Sequence, residues 1–239
     1  MLNCNKENNN AKQSLIFFPF AGGSGEFYIP WFKYFDQDIA CYYALLNGRG
    51  KYLGYPNIDN LPSLIDLYIP EILKLSNKPF SLFGHSMGGL VAFELSRKLY
   101  FEHNILPQEI FISGFRAPCL PCISNLMHKM SKEEVFRKLQ DMQALTLSGV
   151  NIDIMEPFWP AIYSDFKICE LYKYTKTTPL PCNITVLWGK DDHLIQQENI
   201  CLWQDESCNK VSFYSFKGGH FYLEHEFLNI ISIILNKIK

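Results

Sequence analysis

A serine lies between two glycines in the pentapeptide "GHSMG" at residues 84–88. The apolar stretch "FSLF" precedes it and "GLVAFELSRKLY" follows it, which predicts a strand, a sharp turn and a helix. In that context the pattern G-x-S-x-G exposes a serine hydroxyl, here that of Ser86, as a nucleophile. The alternative is purely structural, with Gly84, Gly88 and Gly89 only letting strand and helix pack closely. The rest of the chain must distinguish the two interpretations.

A serine hydroxyl is a weak nucleophile at neutral pH, so a nearby base must take its proton. His220 directly follows the apolar run 211–216, and Asp192 directly follows the run 184–188. In folds with such a serine turn, the acid and then the histidine come later in the chain, each after a strand. Residue type, order and position therefore predict a catalytic triad of Ser86, His220 and Asp192.

Two of these assignments have neighbours that compete with them. Asp191 adjoins Asp192, and we favour Asp192 because it lies three residues past Gly189, where a turn aims it at the imidazole. His85 lies inside the serine turn and points the wrong way to act as the base. The other histidines are expected on the surface or on the next helix: His103, His128, His193 and His225. The sequence has no H-x-x-x-H spacing, which disfavours a metallohydrolase.

An acyl-transfer site also needs backbone donors for the oxyanion that forms at the attacked carbonyl. The N–H of Met87, at the start of the predicted helix, is one candidate. The second is expected from the loop "FFPFAGGSGEFYIPW" after the first predicted strand, with the N–H of Phe20 or Ala21 as candidates. The glycines at 22 and 23 allow a close backbone approach, although a plain tight turn would also use them.

Apolar runs alternate with segments of helical periodicity. The predicted strands are Leu15–Phe18, Ala40–Leu46, Phe80–Phe83, Glu109–Ser113, Ile184–Trp188 and Val211–Phe216. The predicted helices are Leu61–Leu75, Met87–Tyr100 and Glu226–Lys237. Continuous apolar strands with helices between them predict an α/β fold, with a mostly parallel central sheet and helices on both faces.

The segment 117–182 departs from this alternation, because it has room for several helices and no convincing strand. "SKEEVFRKLQDM" opens with a capping box of Ser131 and Glu134, and a second helix is expected over Ile162–Tyr174. An insertion at the carboxyl edge of a parallel sheet lies above the usual ligand site. We interpret it as a helical lid on a single domain spanning 1–239, although it could also simply extend the core.

Composition restricts the class of protein further. The 239 residues are 48% hydrophobic and 19% charged, which is typical of a globular chain, and the net charge of −2 gives no reason to expect nucleic acid or an anionic membrane as partner. The polar N-terminus has no signal sequence, and no apolar run is long enough to span a bilayer. Eight sparse cysteines favour reduced thiols in the cytoplasm. We interpret "CLPC" at 119–122 as loop thiols rather than as a redox or zinc motif.

Five segments together resemble the type II thioesterases of nonribosomal peptide and polyketide assembly lines, which are stand-alone α/β-hydrolases. These segments are "FPFAGGSGEFYIPW", "GHSMGGLVAFEL", "SGFRAP", "WGKDDHL" and "FKGGHFYLEH". The resemblance covers nearly the whole chain from Leu15, and "FWPAIYSDFKICELYKY" is similar to the family's lid, where an aspartate follows a proline-containing stretch. Two positions depart from the family pattern: Phe20 stands where histidine is common, and "NGRG" lacks the usual proline before Gly-Arg.

The resemblance implies an enzyme that hydrolyses aberrant or stalled acyl groups from the phosphopantetheine thiol of acyl or peptidyl carrier proteins. It implies no metal and no bound cofactor, and we expect a monomer. A carboxylesterase or a medium-chain acyl-carrier thioesterase is the enzymatic alternative, because a triad alone does not distinguish sulfur from oxygen leaving groups. A binding module that uses the fold without chemistry is the third possibility.

Overall fold

The central sheet brings the carboxyl ends of its parallel strands close together. Ser86, Asp192 and His220, which follow three of these strands, therefore lie at the same edge of the sheet. The computed structural model describes residues 1–4, 10–122, 126–142 and 151–239. Its strands are β1 (Leu2–Cys4), β2 (Gln13–Phe18), β3 (Ile39–Ala44), β4 (Phe80–His85), β5 (Glu109–Ser113), β6 (Asn183–Gly189) and β7 (Ser212–Phe216). Its α-helices are α1 (Leu61–Leu75), α2 (Met87–His103), α3 (Lys132–Asp141), α4 (Trp159–Leu171) and α5 (Leu223–Ile238).

The strands pair in the order β1-β3-β2-β4-β5-β6-β7. All neighbours are parallel except β1, which pairs antiparallel with β3 through Leu2 opposite Ala44. The predicted mostly parallel α/β sheet is confirmed, and each predicted strand lies within two residues of an observed one. The edge strand β1 was not predicted, because three residues in a polar stretch carry no apolar periodicity.

Alternate side chains of the central strands point into two separate apolar layers. Ile16 and Leu82 pack in the layer that contains α1 and α2. Phe17 and Phe83 pack in the layer that contains α5 and the 3-10 helix Gly25–Tyr34. Burial on both faces explains why these strands are apolar at nearly every position.

A capping box in α3 and a proline in α4 explain where these two helices of the 117–182 segment begin. In α3 the predicted capping box is present: Glu134 N–H donates to Ser131 Oγ (3.3 Å), and Ser131 N–H donates to Glu134 Oε2 (2.9 Å). α4 covers Trp159–Leu171, so the predicted range Ile162–Tyr174 was displaced by three residues. The reason is Pro160, which is favourable in a first helical turn and allows the helix to begin earlier.

This segment has an apolar cluster of its own, in which Val135 of α3 packs with Trp159 and Ile162 of α4. Residues 123–125 and 143–150 of the expected lid lie outside the described residues. In the part of the chain that the structure describes, no helix combines the length and apolarity needed to cross a bilayer.

Candidate active site

Ser86 occupies a sharp turn between β4 and α2. Its backbone lies at φ 54° and ψ −120°, a conformation that costs a non-glycine residue about 1–3 kcal/mol and that the surrounding structure must impose. The surroundings are too tight for side chains: a Cβ on Gly84 would lie 1.9 Å from the Gly88 carbonyl oxygen, and one on Gly88 would lie 2.1 Å from the Phe18 oxygen. The N–H of Ser86 donates to the carbonyl of Ser113 (2.7 Å), which ties the turn to β5.

The structure brings His220 and Asp192 together. The His220 Nδ1 lies 2.7 Å from Asp192 Oδ2, and both side chains are almost fully buried. Because an ionised carboxylate only accepts hydrogen bonds, Nδ1 is the donor, which leaves the lone pair of Nε2 available as a base. The second carboxylate oxygen of Asp192 accepts from the Leu194 N–H (2.9 Å). The neighbouring Asp191 is exposed and accepts instead from the Gly218 N–H (3.3 Å).

The ends of β6 and β7 fix this pair through their backbones. Gly189 lies opposite Phe216 in the ladder, and the N–H of Lys190 donates to the Phe216 carbonyl (2.9 Å). A Cβ on Gly189 would lie 2.3 Å from the Gly219 oxygen, so the loop of the acid and the loop of the histidine are in direct contact. The carboxylate therefore reaches the imidazole from the adjacent strand end.

Ser86 and His220 line the same cavity, which has a volume of about 80 Å³. The His220 Nε2 is buried and has no hydrogen-bond partner among the described residues. His220 Nε2 therefore makes no hydrogen bond to Ser86 in the described structure. This is compatible with catalysis, because the contact between a nucleophile and its base is often long before substrate binds. The rest of the lining is mainly apolar, from Phe115, Met127, Met142, Phe166, Leu194 and Ile195. A larger groove of about 600 Å³ lies among residues of α1, α2 and α4 and contains neither Ser86 nor His220.

A buried polar chain lies behind the histidine. His85 is fully buried, its Nδ1 lies 2.9 Å from Ser113 Oγ, and that oxygen lies 2.6 Å from the Tyr222 hydroxyl. The rings of His85 and His220 have centroids 5.0 Å apart. Burial, and secondarily the proximity of the His220 imidazole, holds the pKa of His85 well below its usual value. His85 does not line the cavity that contains Ser86, in keeping with the expectation that it does not serve as the base.

The loop after β2 contains the other candidate oxyanion donors. Ala21 lines the cavity, whereas the Phe20 ring packs edge-on against Phe27 and Phe221, with centroids 5.4 and 4.9 Å away. The N–H of Gly23 donates to the Phe20 carbonyl (2.9 Å) and closes a turn. The Gly22 N–H donates to a carboxylate oxygen of Asp165 (2.7 Å), so it is not available to an oxyanion.

Sequence reasoning missed several residues around this site. Arg49 and Asp165 form a buried ion pair that contacts the Gly22–Gly23 turn, although "NGRG" and the lid aspartate were noted only as parts of family segments. His128 was expected on the surface, but its side chain is only 9% exposed and its Nδ1 lies beside the Glu170 carboxylate. Glu170 also accepts from the N–H of Met127 (2.6 Å), at the start of a short 3-10 helix. Only the folded chain brings these residues together.

The fold and the site define a class of protein. Residues 13–238 match the family described as thioesterase domain, and the chain belongs to that family. It is thus a serine hydrolase that acts on thioesters.

Comparison with individual proteins shows which kinds of thioesterase this chain is similar to. The gramicidin S biosynthesis protein GrsT of Aneurinibacillus migulanus is 28% identical over 233 residues, covering 97% of this chain and 91% of that protein. The structure of the type II thioesterase BorB from the borrelidin biosynthetic cluster has a TM-score of 0.91 at 25% identity, covering 100% of this chain and 97% of that one. The medium-chain S-acyl fatty acid synthase thioesterase of Anas platyrhynchos is 30% identical over 223 residues, covering 90% of this chain and 86% of that protein. The resemblance to type II thioesterases is confirmed.

Proposed function

We propose that this protein hydrolyses aberrant or stalled acyl groups from the phosphopantetheine thiol of carrier proteins in nonribosomal peptide or polyketide synthesis. The observation that carries the proposal is the Asp192–His220 pair: His220 lines the same cavity as Ser86, and its Nε2 has no hydrogen-bond partner among the described residues. Two relatives support this substrate class: GrsT is a gramicidin S biosynthesis protein, and BorB is a type II thioesterase from the borrelidin biosynthetic cluster.

The reaction follows from the arrangement of the three side chains. Nε2 of His220 takes the proton of Ser86 Oγ as that oxygen attacks the thioester carbonyl. The tetrahedral intermediate collapses, the C–S bond breaks, and the thiolate leaves with the proton returned by His220. A water molecule, deprotonated by the same nitrogen, attacks the acyl-serine, and the carboxylic acid leaves as Ser86 regains its proton. Asp192 holds the imidazole in the required tautomer and stabilises its protonated form.

Backbone donors stabilise the oxyanion in both halves of this reaction. The N–H of Met87 is one, because the first N–H groups of α2 have no acceptor within the helix. The second is the N–H of Phe20 or Ala21, since the next N–H in the loop is bonded to Asp165. The loss of one such donor typically costs about 3 kcal/mol of transition-state stabilisation.

The segment 117–182 serves as a lid in this proposal, within a single domain covering 1–239. Two observations support it: the segment packs around a separate apolar cluster, and Met127, Phe166 and Cys169 from it line the cavity. Its covering position would keep bulk water away from the acyl-serine.

The proposal also includes the enzyme's cofactor requirement, its location, its oligomeric state and its protein partners. The reaction as written uses only side chains, backbone N–H groups and water, because phosphopantetheine arrives with the substrate. We place the enzyme in the cytoplasm as a monomer that binds acyl or peptidyl carrier domains. None of its eight cysteines, all in the described part of the chain, forms a disulfide, in keeping with a reducing compartment.

A hydrolysis panel tests the proposal. One acyl group is presented on a phosphopantetheinylated carrier protein, as the N-acetylcysteamine thioester, and as the matched N-acetylethanolamine oxygen ester. We expect kcat/KM to be at least about tenfold higher on the carrier than on the small thioester, since remote contacts contribute binding energy. Faster hydrolysis of the oxygen ester would instead indicate a carboxylesterase. Ser86→Ala is the matched control for background hydrolysis.

A medium-chain fatty acyl thioesterase is the second candidate, favoured by the similarity to the Anas platyrhynchos enzyme. Carrier-bound acyl groups of increasing length decide between the two candidates, and a rate maximum at medium chains would support the second. Failure of a fluorophosphonate to label the native protein would favour a binding module without chemistry.

A further inference from the structure

A buried ion pair joins the loop after β3 to α4. The Arg49 guanidinium binds the Asp165 carboxylate in a two-point contact, with Nη1 to Oδ2 at 2.6 Å and Nη2 to Oδ1 at 2.9 Å. The two residues are 116 positions apart, and their side chains are only 7% and 3% exposed. Both charges are therefore removed from water in a fixed geometry.

The same two groups also hold the backbone of the loop after β2. Asp165 Oδ2 accepts from the N–H of Gly22 (2.7 Å), and Arg49 Nη1 donates to the carbonyl of Gly23 (2.7 Å). The two residues that follow Ala21 are thus both bonded to the ion pair: the N–H of Gly22 to Asp165, and the carbonyl of Gly23 to Arg49. Ala21, which lines the cavity, directly precedes this double contact.

α4 also touches this loop through an apolar side chain. Ile162, almost one turn before Asp165, is so near that a Cβ on Gly22 would lie 3.1 Å from its Cγ1. Gly22 has φ +76°, which glycine adopts as readily as many other conformations, so contacts must select this one. The contacts with α4 and with Arg49 do so, together with the bond of the Gly23 N–H to the Phe20 carbonyl.

Stability alone is a poor explanation for this ion pair. A buried ion pair can often be replaced by apolar residues without loss of stability, because desolvation offsets the attraction. The two-point contact gives orientation instead, since a guanidinium and a carboxylate meet in one plane. A device that orients backbone is useful where a donor must be placed to a fraction of an ångström.

We propose that Arg49 and Asp165 are positioning residues that set the loop after β2, so that its oxyanion donor is in place only while α4 is docked. This inference rests on the proposed function, because it assumes an oxyanion intermediate. It links the position of the lid helix to the assembly of the catalytic site. An open lid releases Gly22 and leaves Met87 as the single backbone donor.

The test compares three variants with the wild-type enzyme. Arg49→Met/Asp165→Leu removes both charges together, so that neither is left buried without its partner. Asp165→Asn keeps the size of the side chain but weakens the contact with Arg49. Lys167→Gln is the matched control, because Lys167 also lies on α4 and joins it to Asp59 through an ion pair that does not contact the loop. The measurements are kcat and KM on the N-acetylcysteamine thioester, Ki for a trifluoromethyl ketone analogue of the substrate, and the thermal midpoint.

We expect the double variant to remain folded, with kcat lowered about 100-fold and KM changed less than about threefold, as for loss of an oxyanion donor. The Ki of the ketone, which forms a tetrahedral adduct on Ser86, should rise by a similar factor. Asp165→Asn should show a smaller shift of both values in the same proportion, whereas Lys167→Gln should match the wild type. A purely structural pair would lower the thermal midpoint without this proportional loss.

The inference is overturned if the folded double variant, or Asp165→Asn should the double variant not fold, keeps wild-type kcat and Ki. The specific role of Arg49 and Asp165 is equally overturned if Lys167→Gln loses as much activity, since any contact that docks α4 would then have the same effect as the ion pair. These outcomes differ from failure of the proposed function, in which the wild-type protein itself would not hydrolyse the thioesters.

Discussion

The serine turn and the loop after β2 face the same cavity but are held in different ways. At the turn, Ser86 is fixed by backbone: its N–H bonds to β5, and the glycines at 84 and 88 pack against carbonyl oxygens. At the loop, Gly22 and Gly23 are fixed by two side chains, one of them on α4. The serine turn is thus held by the central sheet, whereas the position of the loop after β2 depends on α4.

The difference shows which half can move while the protein stays folded. Displacement of the serine turn would disrupt the pairing of β4 with β5 and the first turn of α2. Displacement of the loop breaks its two hydrogen bonds to Asp165 and Arg49 and the contact with Ile162, while the bond of the Gly23 N–H to the Phe20 carbonyl lies within the loop itself. In the proposed mechanism the nucleophile therefore stays in place, whereas the loop proposed to supply the second oxyanion donor is the part that the proposed lid can control.

The largest effect is expected at the half that the sheet holds. Ser86→Ala should lower kcat by about 10⁶-fold, because neither half of the reaction proceeds without the nucleophile. The thermal midpoint should change little, since alanine fits the same turn. Thioester hydrolysis and fluorophosphonate labelling measure the loss; substantial remaining turnover would mean that another residue is acylated.

A substitution in the acid loop should have the next largest effect. Asp192→Asn should lower kcat by about 10⁴-fold, because an amide stabilises the wrong imidazole tautomer. Asp191→Asn is the matched control, since Asp191 is exposed and bonds only to Gly218 in the described structure. Steady-state rates near neutral pH check both, and equal losses would remove the distinction between the two aspartates.

Alanine at two glycines compares the two halves directly. Gly84→Ala should destabilise the protein by about 4 kcal/mol or more, because its Cβ would overlap backbone atoms that cannot withdraw. Gly22→Ala meets only the Ile162 side chain, with Cγ1 at 3.1 Å, and a positive φ, so we expect a loss of about 1–2 kcal/mol.

The second variant should nevertheless lose activity, by about tenfold in kcat, because the loop must shift to accept the new methyl group. Urea unfolding and thioester hydrolysis measured side by side give the two numbers. If Gly22→Ala is as unstable as Gly84→Ala, the two regions are not held differently.

The smallest expected effect concerns the buried layer behind His220. The folded-state pKa of His85 is depressed by burial, so below about pH 6.5 only the unfolded chain binds this proton. Stability from this residue is thus present above about pH 6.5 and is lost as the pH falls, by up to about 1.4 kcal/mol per pH unit. His85→Gln should flatten the pH dependence of the free energy of unfolding by that amount.

Urea titrations between pH 5 and 7.5 measure the difference between the two proteins. Glu109 and Glu206, whose pKa values burial raises, act in the opposite sense, but they do so in both proteins and cancel from the difference. Parallel curves for the wild type and the variant would show that His85 takes up a proton in the folded state.

Much of the fold could be predicted from the sequence, because local chemistry determines it. The bounds of α1 and β5 were predicted without error, since periodicity and capping signals lie within each segment. α4 begins three residues before the predicted start, because Pro160 is favourable in a first helical turn. The three-residue β1 had no pattern of its own, and only its partner β3 makes it a strand.

Some residues of the candidate site could likewise be predicted from local sequence patterns, whereas others depend on contacts between distant parts of the chain. The sequence placed Ser86, Asp192 and His220 at strand ends, and parallel pairing was enough to bring those ends together. The contact of Arg49 with Asp165 is not encoded in any local pattern, because it depends on how α4 lies over the sheet. The hydrogen bond between Ser113 and Tyr222, 109 residues apart, is of the same kind.

The backbone torsions at residue 86 also limit which nucleophiles evolution or an engineer could place there. A positive φ strongly disfavours β-branched side chains, so threonine, which carries the same hydroxyl group, is a poor replacement. Cysteine is unbranched and has no such steric penalty. The backbone at this turn therefore allows replacement of Ser86 by cysteine, a sulfur nucleophile, but disfavours its replacement by threonine.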